Sequence, residues 1–512
     1  MELWMLILLS LFLSFALKFL FFQTQKSKKS LPPGPPTLPI IAKFVRLRKS
    51  QFDVQPLLRQ LRRKYGPIFT IYIGTRPTIF IADRSLAHEA LVQKGSVFSD
   101  RPPPTEIGRI LSANQHNINS AAYGPLWRLL RRNLLSEILH PSRVASFAEG
   151  RKWVLELLIK RLRDHEERGE PVRVIEIFQH ATFCLLLFMC FGEKLEESAV
   201  NEIERAQRRL LTNFARFNVF AFLPRFGRFI FRERWKLALE IRDERERLLV
   251  PLIRSRRRRK EGCEDAEKKG SFEFCYVDSL LALELPEEGG RKLTEAEMLT
   301  LCSEFLNGGT DTTSTTMQWI FANLVKNQDQ QAKLVEEIEG VAGKGKDGEI
   351  VREEDLQKMP YLKAVILEGL RRHPPGHFVL PHAVSEEVIL GGYVIPKNAS
   401  INFMVAEFGI DKEVWEDALE FRPERFLKEE GAECVDITGS REIKMMPFGV
   451  GRRICPGLSL AMMHLEYFVA NLVREFQWKP KKDGEIIDLS EKLEFTVVMK
   501  NPLEAKIISR RS

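Results

Sequence analysis

A single cysteine stands in MPFGVGRRICPGLSL, residues 446–460, behind two adjacent arginines and ahead of Pro-Gly. No second cysteine lies close enough for a Cys-x-x-Cys pair, so neither a zinc knuckle nor a redox dithiol is the natural reading. Cationic neighbours should lower the pKa of Cys455 and favour its thiolate. A lone thiolate can act as a nucleophile, ligate a metal alone, or do nothing, and the loop by itself leaves all three open. Three further groups carry chemistry. Gly308-Gly309-Thr310-Asp311-Thr312-Thr313 sits between the apolar flanks FL (305–306) and MQWIF (317–321). Two glycines inside a helix cost roughly 1 kcal/mol each against alanine, and the polar residues after them can bond the backbone and open the helix locally. Such a sequence implies close approach of something to the backbone, or a local distortion. Glu368 and Arg371, at i and i+3, can form an ion pair, with Arg425 of FRPERF as a further partner; that role is structural. Trp127 and Arg131, at i and i+4, stack an indole N–H and a guanidinium on one helix face, a pairing suited to a carboxylate.

These residues need long helices to hold them. Residues 293–327 read as one unusually long helix, opened by Thr294 and Glu297 in capping-box spacing. MPYLKAVILEGLRRHP (359–374) is a helix stopped by Pro374-Pro375, and 458–476 is a strongly apolar helix after the cysteine. Residues 123–252 are mostly helical, with turn signals at His140-Pro141, Gly169 and Leu223-Pro224. Residues 64–83 read as two strands joined by Gly-Thr-Arg-Pro, 391–407 mix turn and strand signals, and 493–503 are strand-like. There are no internal repeats, so solenoids are excluded.

The chain has 512 residues and a formal net charge of +9, much of it in RSRRRRK (254–260), which reads as a solvated surface loop. No basic stretch interleaves with aromatics, which argues against nucleic-acid binding. Seven scattered cysteines argue for a reducing compartment, with Cys184 and Cys190 as core hydrophobes. Residues 3–22 form an apolar run of bilayer-spanning length. Glu2 precedes it and Lys26, Lys28 and Lys29 follow, so it reads as an uncleaved anchor with its C-terminal side cytosolic. Five prolines in LPPGPPTLP (31–39) favour stiff polyproline II geometry, a linker or rigid spacer beside the membrane.

Taken in order, these motifs resemble the haem-thiolate monooxygenases, the cytochrome P-450 superfamily. The resemblance covers nearly the whole chain: the anchor, LPPGPP, W-x-x-x-R at Trp127 and Arg131, GGTDTT, E-x-x-R at Glu368 and Arg371, PERF (423–426), and F-G-x-G-x-R-x-C-x-G at 448–457. It implies a mainly α fold with a smaller β portion, a triangular prism of helices around haem with a long central helix. The expected organisation is an anchor at 1–25, a basic and Pro-rich hinge at 26–40, and a monooxygenase domain at 41–512. By resemblance, Cys455 is the thiolate ligand of haem b, Phe448 packs beside it, and Gly449, Gly451 and Gly457 let the loop approach the porphyrin. Arg453, Trp127 and Arg131 are implied propionate contacts. Thr312 is implied to hydrogen-bond dioxygen and Asp311 to relay protons. Electrons are expected from NADPH through a membrane-bound cytochrome reductase, with cytochrome b5 as a further partner; no Rossmann G-x-G-x-x-G fingerprint follows a strand, which fits a partner donor. Arg452 is a candidate for the docking face. The implied location is the endoplasmic reticulum membrane, single-pass, with the catalytic domain cytosolic.

The sequence is most similar to plant microsomal members, and LKAVILEGLRRHPPGHFVLPHAV resembles the plant eighty-nine-A subfamily, associated with oxidative deformylation of linear tetrapyrroles from chlorophyll breakdown. The alternatives are a fatty-acid or other specialised-metabolite hydroxylase or epoxidase, or a haem-thiolate isomerase or dehydratase; relatives of the last kind typically lack the Asp-Thr pair. Substrate contacts are expected around Ile118, Phe305, His377 to Leu380 and Phe495 to Val497, whose aliphatic and aromatic character suits a lipophilic or amphipathic ligand. MVAEFGIDKEVW (404–415) departs from the plant pattern, which leaves the packing of that loop open.

Overall fold

The computed structural model describes residues 31–36, 55–73, 76–222, 226–262, 274–343, 350–427 and 435–510. The expected anchor, most of the hinge and the Leu223-Pro224 turn lie outside the described residues. The described part of the hinge does not stand free. The Pro33 carbonyl accepts the Thr70 N–H at 2.9 Å, laying LPPGPP along the first strand.

Nine helices position the site: α1 (Pro125–Glu137), α2 (Ala148–Glu167), α3 (Val174–Phe191), α4 (Glu197–Asn213), α5 (Arg232–Lys260), α6 (Tyr276–Ala282), α7 (Glu295–Lys326), α8 (Pro360–Arg372) and α9 (Leu458–Glu475). The capping box at Thr294 and Glu297 forms as expected and starts α7. Pro360 occupies the first turn of α8, where no N–H is needed. Helix α3 is apolar on nearly every face because neighbours cover it all round. It is long and apolar enough to cross a membrane, yet 89% of it is buried inside the protein, so it is a core helix. Cys184 and Cys190 are buried there.

The smaller β portion includes a four-stranded sheet in the order β1 (Ile68–Ile73), β2 (Arg76–Ile81), β4 (Ser400–Phe403), β3 (His382–Ala383). Strands β1 and β2 form the expected antiparallel hairpin with Ile68 opposite Ile81; β2 and β4 are parallel. Late in the chain β5 (Glu491–Leu493) pairs with β6 (Val497–Met499), forming a hairpin whose connection is Glu494 to Thr496.

Two expectations need correction. RSRRRRK is not a loop: it is the end of α5. Cations in a last helical turn offset the carbonyl end of the dipole, and Arg256 is buried against Asp278 at 2.6 and 2.8 Å. Nor does α7 open at its glycines. It is helical throughout Glu295–Lys326, and its hydroxyls bond carbonyls one turn back without breaking it: Thr310 to Leu306, Thr312 to Gly308, Ser314 to Thr310 and Thr316 to Thr312, at 2.7–2.8 Å.

The Glu368–Arg371 pair is fully buried, with Arg371 donating twice to the carboxylate at 2.6 and 2.8 Å. Arg425 adds the predicted third contact at 3.1 Å. Arg371 also donates to the carbonyls of Gly409, Ala418 and Glu420, fastening the chain that leads to the cysteine loop onto α8. In the departing segment, Asp411 takes a hydrogen bond from Arg84 at 3.0 Å and Trp415 donates to the Phe408 carbonyl.

Candidate functional site

The cysteine loop is a tight backbone structure. Gly449 and Gly451 lie at φ +69° and +77°, and a Cβ on Gly451 would stand 2.1 Å from the Leu91 carbonyl oxygen. Only glycine fits there. The Cys455 N–H donates to the Phe448 carbonyl at 2.8 Å, which closes the loop. Phe448 is partly buried against the main core.

The thiol itself corrects a sequence expectation. Burial pushes the Cys455 thiol up, opposed by the Gly457 N–H and by Arg131. The adjacent arginines do not lower it because they are aimed elsewhere. Arg452 donates to the Tyr123 hydroxyl, and Arg453 donates to the carbonyls of Ser99, Ile118 and Ala121 at 2.6–3.1 Å. In the protein matrix alone desolvation outweighs the nearby cations.

Trp127, Arg131 and Arg453 do converge beside this loop. The Arg453 and Arg131 guanidiniums lie 4.7 and 5.5 Å from the Trp127 ring centroid. Arg131 also donates to the Ile454 carbonyl at 2.7 Å. Arg101, which sequence reasoning missed, joins them by donating to the carbonyls of Asn119, Leu380 and Pro381 at 2.7–2.9 Å. Burial is the main cause that pulls Arg101 down to about 9 and Arg453 to about 10, and Arg453 lowers Arg101 further. The Trp127 Nε1–H is enclosed and has no acceptor among the described residues. Desolvated cations and an unfilled indole donor call for an anion with more than one oxygen.

On α7 the two adjacent glycines do different work. A Cβ on Gly309 would stand 2.7 Å from Leu186 Cδ1, so this glycine lets α7 approach α3; a Cβ on Gly308 would meet nothing within 4 Å. Only Gly308 leaves space. Thr312 lies one turn on, partly exposed, its hydroxyl donating to the Gly308 carbonyl. Asp311 is 14% exposed at its side chain, accepts a hydrogen bond from Gln179 Nε2 at 3.0 Å, and has the Arg208 guanidinium at 3.7 Å. Burial pushes its pKa up to about 6, with Arg208 opposing. Gln179 gives little signal in the sequence, being one polar residue in the apolar run of α3. Arg208 gives none.

A family model described as cytochrome P450 matches residues 32–508. This chain belongs to the cytochrome P450 family. It is 49% identical to Cytochrome P450 89A9 of Arabidopsis thaliana, over 99% of this chain and 98% of that protein. Isoflavone 3'-hydroxylase of Medicago truncatula is 31% identical (97% of this chain, 96% of that protein), and geraniol 8-hydroxylase of Catharanthus roseus is also 31% identical (98% of each). A zebra fish cytochrome P450 solved with progesterone superposes with TM-score 0.74 at 22% identity, covering 90% of this chain and 100% of that one. At that identity the likeness shows the fold alone. The protein is a cytochrome P450 monooxygenase whose cofactor is haem with cysteine thiolate ligation.

This P450's own residues fit haem. The cation set with the orphaned indole donor suits two propionates, the Gly308 face of α7 is open, and four of the five described cysteines are buried elsewhere in the core. Parts of the expected substrate segments touch the cysteine loop or α7. Val379 comes within 3.5 Å of the position a Gly449 Cβ would take. Thr496 bonds Thr315 of α7 at 3.0 Å, and the Val497 carbonyl accepts from Trp319 at 2.8 Å. Leu380 and Phe495 are exposed apolar side chains, while Ile118 is buried and Phe305 packs on Tyr276 with centroids 5.3 Å apart. His377 is not a free contact residue: it shares the carboxylate of Glu491 with His373, at 3.0 and 3.2 Å.

Proposed function

We propose that Cys455 is the haem ligand of this P450, that Trp127, Arg131 and Arg453 hold the propionates, and that Asp311 and Thr312 manage protons on the oxygen side. Haem bound by a cysteine thiolate supplies reductive activation of dioxygen, the thiolate favouring O–O cleavage. The chain's part is positional. Phe448 shields the sulfur, Gly449 and Gly457 shape the loop around it, and the Gly457 N–H is a donor to the sulfur. Asp311, raised to about 6, exchanges protons near neutral pH, as a relay group should. Gln179 holds it one residue from the Thr312 hydroxyl.

Electrons come from NADPH through a membrane-bound cytochrome reductase, with cytochrome b5 as a second donor. What supports this is a concavity of about 520 Å³ reached by Arg452 of the cysteine loop and lined also by Arg128, Arg131 and Arg132 with Tyr123 and Trp127. Such a basic surface suits an acidic flavoprotein domain. The N-terminal run 3–22 anchors the enzyme in the endoplasmic reticulum membrane, catalytic domain in the cytosol.

The substrate is a lipophilic or amphipathic plant metabolite, with a linear tetrapyrrole chlorophyll catabolite undergoing oxidative deformylation as the leading candidate. The observation that carries this reading is end-to-end identity of 49% to Cytochrome P450 89A9, together with the subfamily resemblance of the 362–384 segment. The relatives named as hydroxylases of an isoflavone and of geraniol favour a second reading, hydroxylation of another specialised metabolite. Microsomes containing this P450, a plant reductase and NADPH, supplied with a formyl-bearing linear tetrapyrrole, should release formate and a product one carbon shorter. Turnover of geraniol or an isoflavone without any of the tetrapyrrole would overturn the first reading in favour of the second. The Cys455→Ser variant should lose the strongly red-shifted Soret band of the reduced carbon monoxide complex.

A further inference from the structure

Glu304 lies on α7 one turn before Gly308, and both its oxygens are taken by one stretch of backbone. The Ile118 N–H donates to Oε2 at 2.8 Å and the Asn119 N–H to Oε1 at 2.6 Å. The carbonyls of the same two residues face the cations: Ile118 accepts from Arg453 Nη1 at 3.1 Å, and Asn119 from Arg101 Nε at 2.7 Å. The Ile118 carbonyl and the Asn119 N–H belong to a single peptide unit. That unit therefore sits between a carboxylate at its N–H end and a guanidinium at its carbonyl end. A peptide group carries about 3.5 D along this direction, and hydrogen bonds in series polarise one another. Each end strengthens the grip of the other. Burial pushes the Glu304 pKa up to about 7, opposed by the Ile118 and Asn119 N–H groups and then by Arg101 and Arg453.

We propose that Glu304 is a positioning residue for haem: through the Ile118–Asn119 peptide it fixes Arg453 against the propionates. The inference rests on the reading of Arg453 as a propionate partner. Arg453 has three of its five N–H groups on the carbonyls of Ser99, Ile118 and Ala121, so where its remaining donors aim depends on where those carbonyls stand. The position of the Ile118 carbonyl is set from the opposite side by Glu304. A carboxylate on the central helix thus acts on the acidic edge of the cofactor without touching it.

The test uses three purified holoenzymes: wild type, Glu304→Gln and Arg453→Lys. Resonance Raman spectra read the propionate bending bands, and transfer to excess apomyoglobin reads the rate of haem release. Gln keeps the size of Glu but offers one acceptor where two N–H groups need one each. Glu304→Gln should shift the propionate bands in the same sense as Arg453→Lys and release haem faster by on the order of tenfold, with the reduced carbon monoxide Soret band unmoved. A clamp that served only the loop would leave the propionate bands at their wild-type positions, and that result, with Arg453→Lys shifting them, overturns the proposal. Bands unmoved in both variants would instead remove the reading of Arg453, and the proposal with it. Should Glu304→Gln yield no holoenzyme, Glu304→Asp keeps the charge but withdraws it by one methylene. It must then shift the same bands by a smaller amount, and wild-type bands in that variant also overturn the proposal.

Discussion

Around Cys455 three cations end on backbone carbonyls: Arg131 on Ile454, Arg453 on Ser99, Ile118 and Ala121, Arg101 on Asn119, Leu380 and Pro381. Around Asp311 the partners are other side chains, one amide from α3 and one guanidinium from α4. The difference fits the role proposed for each region. Guanidiniums satisfied by carbonyls keep their charge unneutralised, available to an anion and held by the fold itself. A carboxyl held by an amide, with a cation only at 3.7 Å, keeps a pKa close to neutral and stays able to exchange protons. The side proposed to hold the thiolate is therefore built into the stability of the chain, and the side proposed to handle oxygen is set apart from it. Substitutions on the first should cost folding and haem, and substitutions on the second should cost turnover.

The largest test of that contrast is Glu368→Gln. It leaves Arg371 fully buried without its counter-charge, and one amide oxygen must serve Arg371, Arg425 and the Arg422 N–H in place of two carboxylate oxygens. Breaking a buried pair from one side costs about 3–5 kcal/mol. We expect little folded haem protein, measured as the yield of the reduced carbon monoxide complex per total chain. A wild-type yield would show that the chain leading to the cysteine loop does not depend on this network.

Asp311→Asn probes the other side and should separate stability from activity. Wild-type Asp311 carries a charge above about 6 in a site whose burial penalises it. A carboxyl raised in this way lowers stability progressively between the ordinary carboxylate range and about pH 6, and the full penalty persists above. Asn carries no charge, so the variant should gain on the order of 2 kcal/mol at pH 7.5, read as a melting temperature higher by about 2–4 °C. The gain should shrink to roughly half at pH 5, where the folded carboxyl is mostly neutral but the unfolded one is ionised, and vanish only below the ordinary carboxylate pKa. Product formation should fall by about 100-fold with haem content unchanged. A variant less stable at pH 7.5 would place Asp311 among the stabilising groups and erase the contrast.

The sequence made the thiolate side more legible than the oxygen side, for a physical reason. Cys455, Arg453, Gly449 and Gly457 lie within one loop, and Trp127 and Arg131 within one helical turn, so local spacing already groups them. The environment of Asp311 comes from three helices, and neither Gln179 nor Arg208 has a spacing that ties it to Asp311. Long-range grouping also hid Arg101 and Glu304, which meet only through the backbone of Ile118 and Asn119. Spacing misled at Cys455 itself. Adjacency in sequence suggested that Arg452 and Arg453 lower the thiol, but in a tight turn their side chains point to Tyr123 and to distant carbonyls. The long helices, the capping box at Thr294 and the β1–β2 hairpin were readable because each rests on local periodicity or caps. The basic run 254–260 was misread because charge alone does not distinguish a solvated loop from a helix end.

The smallest test compares two neighbours on α7. Alanine at Gly308 meets nothing within 4 Å and relieves a helix-interior glycine, so Gly308→Ala should stabilise the protein by about 0.5–1 kcal/mol. Alanine at Gly309 gains the same helix propensity but drives a methyl to 2.7 Å from Leu186 Cδ1, and Leu186 is 1% exposed with little room to move. Overpacking costs about 1–3 kcal/mol, so Gly309→Ala should destabilise by about 1 kcal/mol net. The functional readout should divide the opposite way. Rebinding of carbon monoxide after flash photolysis should slow in Gly308→Ala, whose methyl enters the open space, and stay near wild type in Gly309→Ala, whose methyl enters the α3–α7 contact. Equal rebinding in the two variants would mean that Gly308 does not border the oxygen side, and the division of labour between these glycines would fail with it.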